Sequence, residues 1–210
     1  MDEAPPGSYG FAGEPAMSDR PILVISGTNR PNANALKLAR VITARYQERN
    51  IAAELLSLTE LPREIFDGSA YASKPPGMVA LQQRVLDAIG LHVITPEYNG
   101  SFPGVLKYFI DMLKFPESFE RKPVAFVGEA AGLWGALRSV EQLQMVFGYR
   151  NAFVYPDRVF IPSVTSKFDA DGNLLDEAIA QRLSRQLIGF AHFADHIDGS
   201  SHAPETPDRR

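Results

Sequence analysis

Short, nearly unbroken apolar runs constrain this chain more than any other feature: Ile22-Leu23-Val24-Ile25-Ser26, Leu91-His92-Val93-Ile94-Thr95 and Val124-Ala125-Phe126-Val127-Gly128. A strand with one wet face alternates apolar and polar residues. Runs without alternation suit strands covered on both faces, as in a parallel sheet. Helical patterns separate them. Residues 33–49 place Leu36, Leu38, Ala39, Ile42 and Tyr46 on or near one face, and a further helix is expected over 78–89. Residues 102–115 carry Phe102, Val105, Leu106, Phe109, Ile110 and Leu113 at helical spacing, with Pro103 in the first turn, where a missing N–H costs nothing. Another helix is expected over 133–147. A last one, over 174–197, carries Leu175, Ile179, Leu183, Leu187 and Phe190 on one face. Residues 52–58 read as a second strand, although they would suit a helix as well, residues 62–77 read as irregular, and residues 151–161 read as a fifth strand. Five strands alternating with helices predict an α/β fold with a doubly wound parallel sheet.

Composition narrows the functions such a sheet could serve. The 210 residues are 45% apolar and 22% charged, with a formal charge of -4 and no dense basic cluster, so nucleic acid is not expected as a partner. With no cysteine, disulfides, iron–sulfur ligation and thiol chemistry are excluded. Of His92, His192, His196 and His202, only His192 and His196 share helical i, i+4 spacing, and the glutamate of a zincin motif is missing between them. The run Asp169-Ala170-Asp171-Gly172-Asn173 resembles a calcium loop, but its glycine is misplaced and a helix-initiating turn fits better. No apolar stretch is long enough for a membrane span, and the acidic start lacks a secretory signal pattern, so a cytoplasmic location is expected. Residues 1–20 and 199–210 read as disordered tails around one domain over 21–198.

Ligands on such sheets sit beyond the carboxyl ends of the strands, which singles out three loops. Gly27-Thr28-Asn29-Arg30-Pro31-Asn32-Ala33-Asn34 offers small polar groups, an arginine and a helix N-terminus. These could hold a phosphate, or form a polar turn capped by Asn32 or Asn34. Pro96-Glu97-Tyr98-Asn99-Gly100-Ser101 could cover a flat ring with Tyr98 and bond its rim through Asn99, or make a tight turn capped by Ser101. Gly128-Glu129-Ala130-Ala131-Gly132-Leu133-Trp134-Gly135 allows close backbone approach, to a ligand or to a packed helix.

The three loops together, with the following Pro-Gly-x-Leu-Lys-x-x-x-Asp helix, resemble the NADPH-dependent FMN reductase family, which includes quinone, chromate and azo reductases. The resemblance covers about residues 21–165. It implies a flavodoxin-like sheet of order 2-1-3-4-5 and hydride transfer from NAD(P)H, through bound FMN, to a quinone, flavin or similar small acceptor. No side chain need act as acid or base, so only binding residues are implied. Thr28, Arg30 and the amides of Asn34, Ala35 and Leu36 would hold the phosphate. Pro96, Glu97, Tyr98 and Asn99 would line the ring and ribityl region, and the backbone of Glu129, Ala130, Ala131 and Gly132 would approach the pyrimidine end. A homodimer or homotetramer is implied as well. Lys107 and Asp111 match the family helix, although their spacing fits a surface ion pair better.

Ala33 and Ala35 depart from the pattern, since relatives commonly carry hydroxyl or amide side chains there. Each missing bond to a charged group could cost on the order of 1.5–3 kcal/mol, so weakened FMN binding is an expectation. The alternative is a binding or assembly protein of the same fold that has lost effective flavin binding. Trp134, where many members carry arginine or a small residue, suggests an adapted entrance or interface.

Overall fold

The computed structural model describes residues 18–170 and 172–201. Their strands are β1 (Ile22–Ser26), β2 (Ala53–Ser57), β3 (Gly90–Pro96), β4 (Pro123–Glu129), β5 (Phe153–Val154) and β6 (Val159–Ile161). The helices are α1 (Asn34–Gln47), α2 (Pro76–Asp87), α3 (Gly104–Met112), α4 (Leu137–Tyr149) and α5 (Glu177–Ser201). Three short 3-10 turns fill the segment between β2 and α2. All pairings are parallel, in the order β2-β1-β3-β4-β5, with β6 also on β4. This is the doubly wound, flavodoxin-like sheet expected from the sequence.

The apolar runs of β1, β3 and β4 are buried at every residue, and their side chains alternate between two cores because successive Cβ atoms point to opposite faces. Leu23, Ile25, Leu91, Val93, Val124 and Phe126 meet Met78 and Leu81 of α2, Leu106 and Phe109 of α3, and Leu143 and Phe147 of α4. Ile22, Val24, Ile94, Ala125 and Val127 meet Leu38 and Ile42 of α1 and Leu183, Leu187 and Phe190 of α5. Each fully buried Leu, Ile or Phe contributes roughly 1.5–3 kcal/mol against remaining exposed, so the switch between β1 and β3 is held from both sides.

The fold departs from the sequence expectation in several places. The expected fifth strand over 151–161 is two pieces on the same edge of β4. β5 pairs with Pro123 and Val124, and β6 with Val127, Gly128 and Glu129. Between them lies Tyr155-Pro156-Asp157-Arg158, where Pro156 has no N–H for the ladder. α3 begins at Gly104 with Pro103 as its N-cap, so neither Phe102 nor Ser101 opens it. α4 begins at Leu137, leaving Leu133 and Trp134 in an exposed turn. α5 begins at Glu177, and Leu175 lies outside it and is exposed.

The Asp169–Asn173 segment is the tip of a small antiparallel bridge between Phe168 and Leu174. Asp169 accepts from the Asn173 N–H at 2.8 Å, whereas α5 is opened by Asp176 accepting from Ile179 at 3.0 Å. Asp171 itself lies outside the described residues, as do residues 1–17 and 202–210 of the expected tails and His202. Residues 18–20 dock on α5: the Ser18 N–H donates to Asp195 and Arg20 pairs with Asp198. His92 is buried in β3, where its Nδ1 and the Tyr46 hydroxyl of α1 are hydrogen-bonded at 2.9 Å. Burial lowers its pKa to about 4, so it stays neutral. Among the described residues no group of three His, Asp or Glu side chains could hold a metal ion, and no helix is long and apolar enough to cross a membrane.

Candidate functional site

The strands' carboxyl ends stop at different heights and leave a crevice of about 550 Å3 at the β1/β3 switch. It is lined by Arg30 to Asn34, Pro96, Glu97, Tyr98, Glu129, Ala130, Ala131, Val164 and Thr165. This is where a doubly wound sheet offers a ligand site. Two larger surface hollows lie elsewhere, along α1 with α5 and along α4 with Arg158. Neither touches the strand ends or converges several loops, so the smaller crevice is the chemically meaningful one.

The loop after β3 is rigidly built. Asn99 and Gly100 both take positive φ, 52° and 77°, as a two-residue reversal requires. Tyr98 and Ser101 exchange backbone hydrogen bonds of 2.8 and 3.1 Å across it. The Ser101 hydroxyl donates to Gln142 of α4. Behind the loop, the buried Ser139 hydroxyl donates to the Pro96 carbonyl at 3.0 Å and lies 2.8 Å from the Thr95 hydroxyl. Glu97 faces Arg138 at 3.6 Å, and its other carboxyl oxygen, Oε2, is buried without a hydrogen-bond partner among the described residues. An unpaired buried acceptor beside a crevice is costly unless a donor arrives.

The loop after β1 is looser. Gly27 is pinned by its N–H to the Ile94 carbonyl at 2.8 Å, and a side chain there would press within 2.7 Å of that same oxygen. Beyond it, Asn29, Arg30, Pro31 and Asn32 are exposed. The Thr28 hydroxyl accepts from the Arg30 N–H at 3.2 Å and is hydrogen-bonded to the Tyr98 hydroxyl at 3.1 Å. Ala33 is the N-cap of α1 and supplies no side-chain cap, so the first turn presents N–H groups toward the crevice.

Glu129 ends β4 between these loops. It is 5% exposed although it carries a carboxyl. Burial raises its pKa to about 7, opposed by the backbone N–H of Ala35 and by the charge of Arg30.

Of the residues singled out from the sequence, Arg30, Asn34, Pro96, Glu97, Tyr98, Glu129, Ala130 and Ala131 come together around the crevice. Thr28 is buried behind it, bridging to Tyr98. Asn99 sits in the turn with positive φ and is not among the lining residues, and Gly132 is exposed outside it. The Leu36 N–H is already donated to the Ala33 carbonyl at 3.0 Å. Ala35 is fully buried in the core shared by α1 and α5, so a hydroxyl at that Cβ would face apolar side chains. Of the two alanines only Ala33, 8% exposed, lies on the crevice wall. Neither Asn32 nor Asn34 caps α1.

Val164 and Thr165 form a wall that sequence reading passed over. They follow β6, with the Val164 N–H donating to the Ala130 carbonyl at 3.0 Å. Their signal was the rule that picked the other loops, a polar segment just past a strand's carboxyl end. The pair Lys107 and Asp111 forms the expected exposed i, i+4 ion pair at 2.7 Å.

The comparisons with known proteins agree with this geometry. The chain is 31% identical over 188 residues to an NAD(P)H-dependent FMN reductase of Pseudomonas aeruginosa, covering 86% of this chain and 98% of that one. It is 26% identical over 186 residues to an NADPH:quinone oxidoreductase of Arabidopsis thaliana, covering 85% and 93%. In three dimensions it is similar to a flavoenzyme NAD(P)H:(acceptor) oxidoreductase from Paracoccus denitrificans, with a TM-score of 0.71, 24% identity, and coverage of 84% and 98%. The family model described as NADPH-dependent FMN reductase matches residues 21–166, which span every strand and all three site loops. On that match the chain belongs to the NADPH-dependent FMN reductase family.

Proposed function

We propose that this protein is an NAD(P)H-dependent FMN oxidoreductase whose single domain, over residues 21–198, carries the cofactor in the crevice at the β1/β3 switch. The observation that carries this reading is the convergence of a helix N-terminus, an exposed arginine and a rigid aromatic loop on one crevice. The parts fit FMN. The Arg30 side chain and the amides at the start of α1 suit a phosphate. Tyr98 and Pro96 offer a flat wall for the ring, and the unpaired Glu97 Oε2 offers an acceptor for a ring N–H.

Bound FMN would supply the redox chemistry, taking a hydride from NAD(P)H and passing reducing equivalents to a quinone, flavin or similar acceptor. The protein's own part is positioning. Ser139 and Thr95 fix the Pro96 carbonyl, Gln142 holds Ser101, and Thr28 ties Tyr98 to the phosphate loop. Backbone N–H groups of the Glu129–Gly132 loop would face charge developing on the pyrimidine side of the ring.

Leu133, Trp134, Met145 and Tyr149 are exposed on that loop and on α4. They are the proposed contact of a cytoplasmic homodimer or homotetramer, since exposed large apolar side chains can mark interaction sites.

The test is FMN-dependent oxidation of NADPH and NADH by the purified chain with a panel of quinones, free flavin and azo dyes. Turnover that requires FMN and one of these acceptors is expected. A chain that takes up no FMN and oxidises neither nucleotide with any acceptor would leave the binding or assembly alternative, for which Ala33 on the crevice wall is the supporting feature.

A further inference from the structure

Glu129 is out of place in a site for a phosphate. It stands at the carboxyl end of β4, one strand from Pro96 in register, and its backbone carbonyl accepts from the Glu97 N–H at 3.2 Å. The side chain is buried on the same crevice wall as Arg30, Ala33 and Asn34. The Ala35 N–H and the Arg30 charge both act on its carboxyl. Those two groups are the donors on which a phosphate at this helix start would depend. A buried carboxyl thus already sits at the electropositive end of α1.

Resting on the FMN reading above, we propose that Glu129 makes cofactor capture proton-linked: its ionised carboxylate competes with the FMN 5′-phosphate for Arg30 and the first turn of α1, so FMN binds with uptake of a proton by Glu129.

The surrounding charges do not relieve the conflict. From the β1–α1 loop only Arg30 acts on Glu129. From β3 come Glu97, another carboxylate, and the Tyr98 phenol. Arg138 of α4 is turned to Glu97. The segment Val159–Ser166 brings no ionisable residue, and Lys167 beyond it pairs with Asp176 at 2.7 Å. On α1 itself, Lys37 lies over the Phe168 ring, so Arg30 is the cation that would face a carboxylate and a phosphate dianion together. Like charges sharing a site force one of them to take a proton.

The sign follows by linkage. Free Glu129 ionises at about 7. A phosphate beside it pushes that value higher in the complex. FMN affinity is then unaffected by this group below about pH 7, and falls as pH rises through and above it. The phosphate's own second ionisation lies near pH 6, so measurements between pH 7 and 9 isolate Glu129. Once protonated, the carboxyl becomes a donor and can bond a phosphate oxygen rather than repel it.

The experiment is fluorescence titration of the full chain with FMN and, separately, with riboflavin, between pH 7 and 9. Calorimetry in two buffers of different ionisation enthalpy counts the protons taken up. For the wild-type chain the FMN Kd is expected to rise at least tenfold across that range, with proton uptake on binding. Riboflavin, which lacks the phosphate, should change less than twofold. Glu129→Gln should flatten the FMN profile and bind more tightly than wild type at pH 9 by the factor the wild type has lost. An FMN Kd that is flat in the wild-type chain with no proton uptake overturns the proposal, as does an equal slope for riboflavin. The wild-type arms suffice if the variant does not fold. A chain that binds neither flavin at any pH instead removes the FMN reading itself, and this proposal with it.

Discussion

The two loops that face each other across the crevice are built in opposite ways. The loop after β3 is fastened at every step, through the Tyr98–Ser101 backbone pair, the Ser101–Gln142 bond and the buried Ser139 and Thr95 hydroxyls under Pro96. The loop after β1 is fastened at Gly27 and Thr28 and then runs exposed to the start of α1, with its arginine in solvent and its helix uncapped. The difference matches what each would hold. A flat ring is gripped by shape, which needs a wall that does not move. A phosphate is gripped by charge and donors, which are satisfied only when the anion arrives. Substitutions on the fastened side should therefore show up in stability, and substitutions on the open side in ligand affinity.

That contrast can be broken by measurement. Arg30→Ala should have the largest effect, weakening FMN binding by about one to two decades with the melting temperature unchanged, by titration and thermal unfolding of the same sample. A comparable loss of riboflavin affinity would place Arg30 at the ring instead.

Ser139→Ala should do the reverse. It removes the Ser139 bonds to the Pro96 carbonyl and to Thr95 while Thr95 keeps its own bond to that carbonyl at 3.1 Å, for a loss of about 0.5–1.5 kcal/mol in chemical denaturation, with the FMN Kd moving less than for Arg30→Ala. Unchanged stability would mean that the loop after β3 is held by backbone alone.

Tyr98→Phe removes the bond to Thr28, a side-chain link between the two loops. A loss of about 0.5–1.5 kcal/mol is expected, divided between folding stability and FMN affinity. A purely stability-borne loss would mean that Tyr98 does not communicate with the phosphate side.

Lys107→Ala is the smallest. The exposed pair with Asp111 matches the family helix but should be worth within about 0.5 kcal/mol and nothing in FMN affinity. A marked loss of binding would turn a surface ion pair into a site residue.

Much of the fold could be read from residues because burial on both faces leaves so plain a mark: β1, β3 and β4 are buried at every residue, carry mostly apolar side chains and sit in the middle of the sheet. The edge was less readable. Residues 151–161 look like one strand because nothing local shows that Pro156 falls where the ladder must be given up. Helix starts slipped for a related reason. Opening α1 at Asn34 rather than residue 33 makes Ala33 the cap, on the crevice wall. Ala35 lies one turn before Leu38 and Ala39 on the face of α1 that packs into the core.

At the site, the loops were identifiable from glycine, proline and polar content, but side-chain direction was not. Glu129 sits in a small-residue loop where a carboxylate would ordinarily be solvated, and only the packing of β6 and Val164 against Ala130 encloses that end of β4. The wall formed by Val164 and Thr165 was hidden because its strand, β6, was hidden.

The most direct measurement is a visible absorbance titration of the purified chain with FMN, followed by anaerobic addition of NADPH and then of a quinone. Saturable binding of one FMN per chain is expected, with the oxidised-flavin band bleached by NADPH and restored by the quinone. A chain that leaves added FMN free in solution, or binds it and leaves the band untouched by NADPH and NADH alike, would contradict the reductase reading.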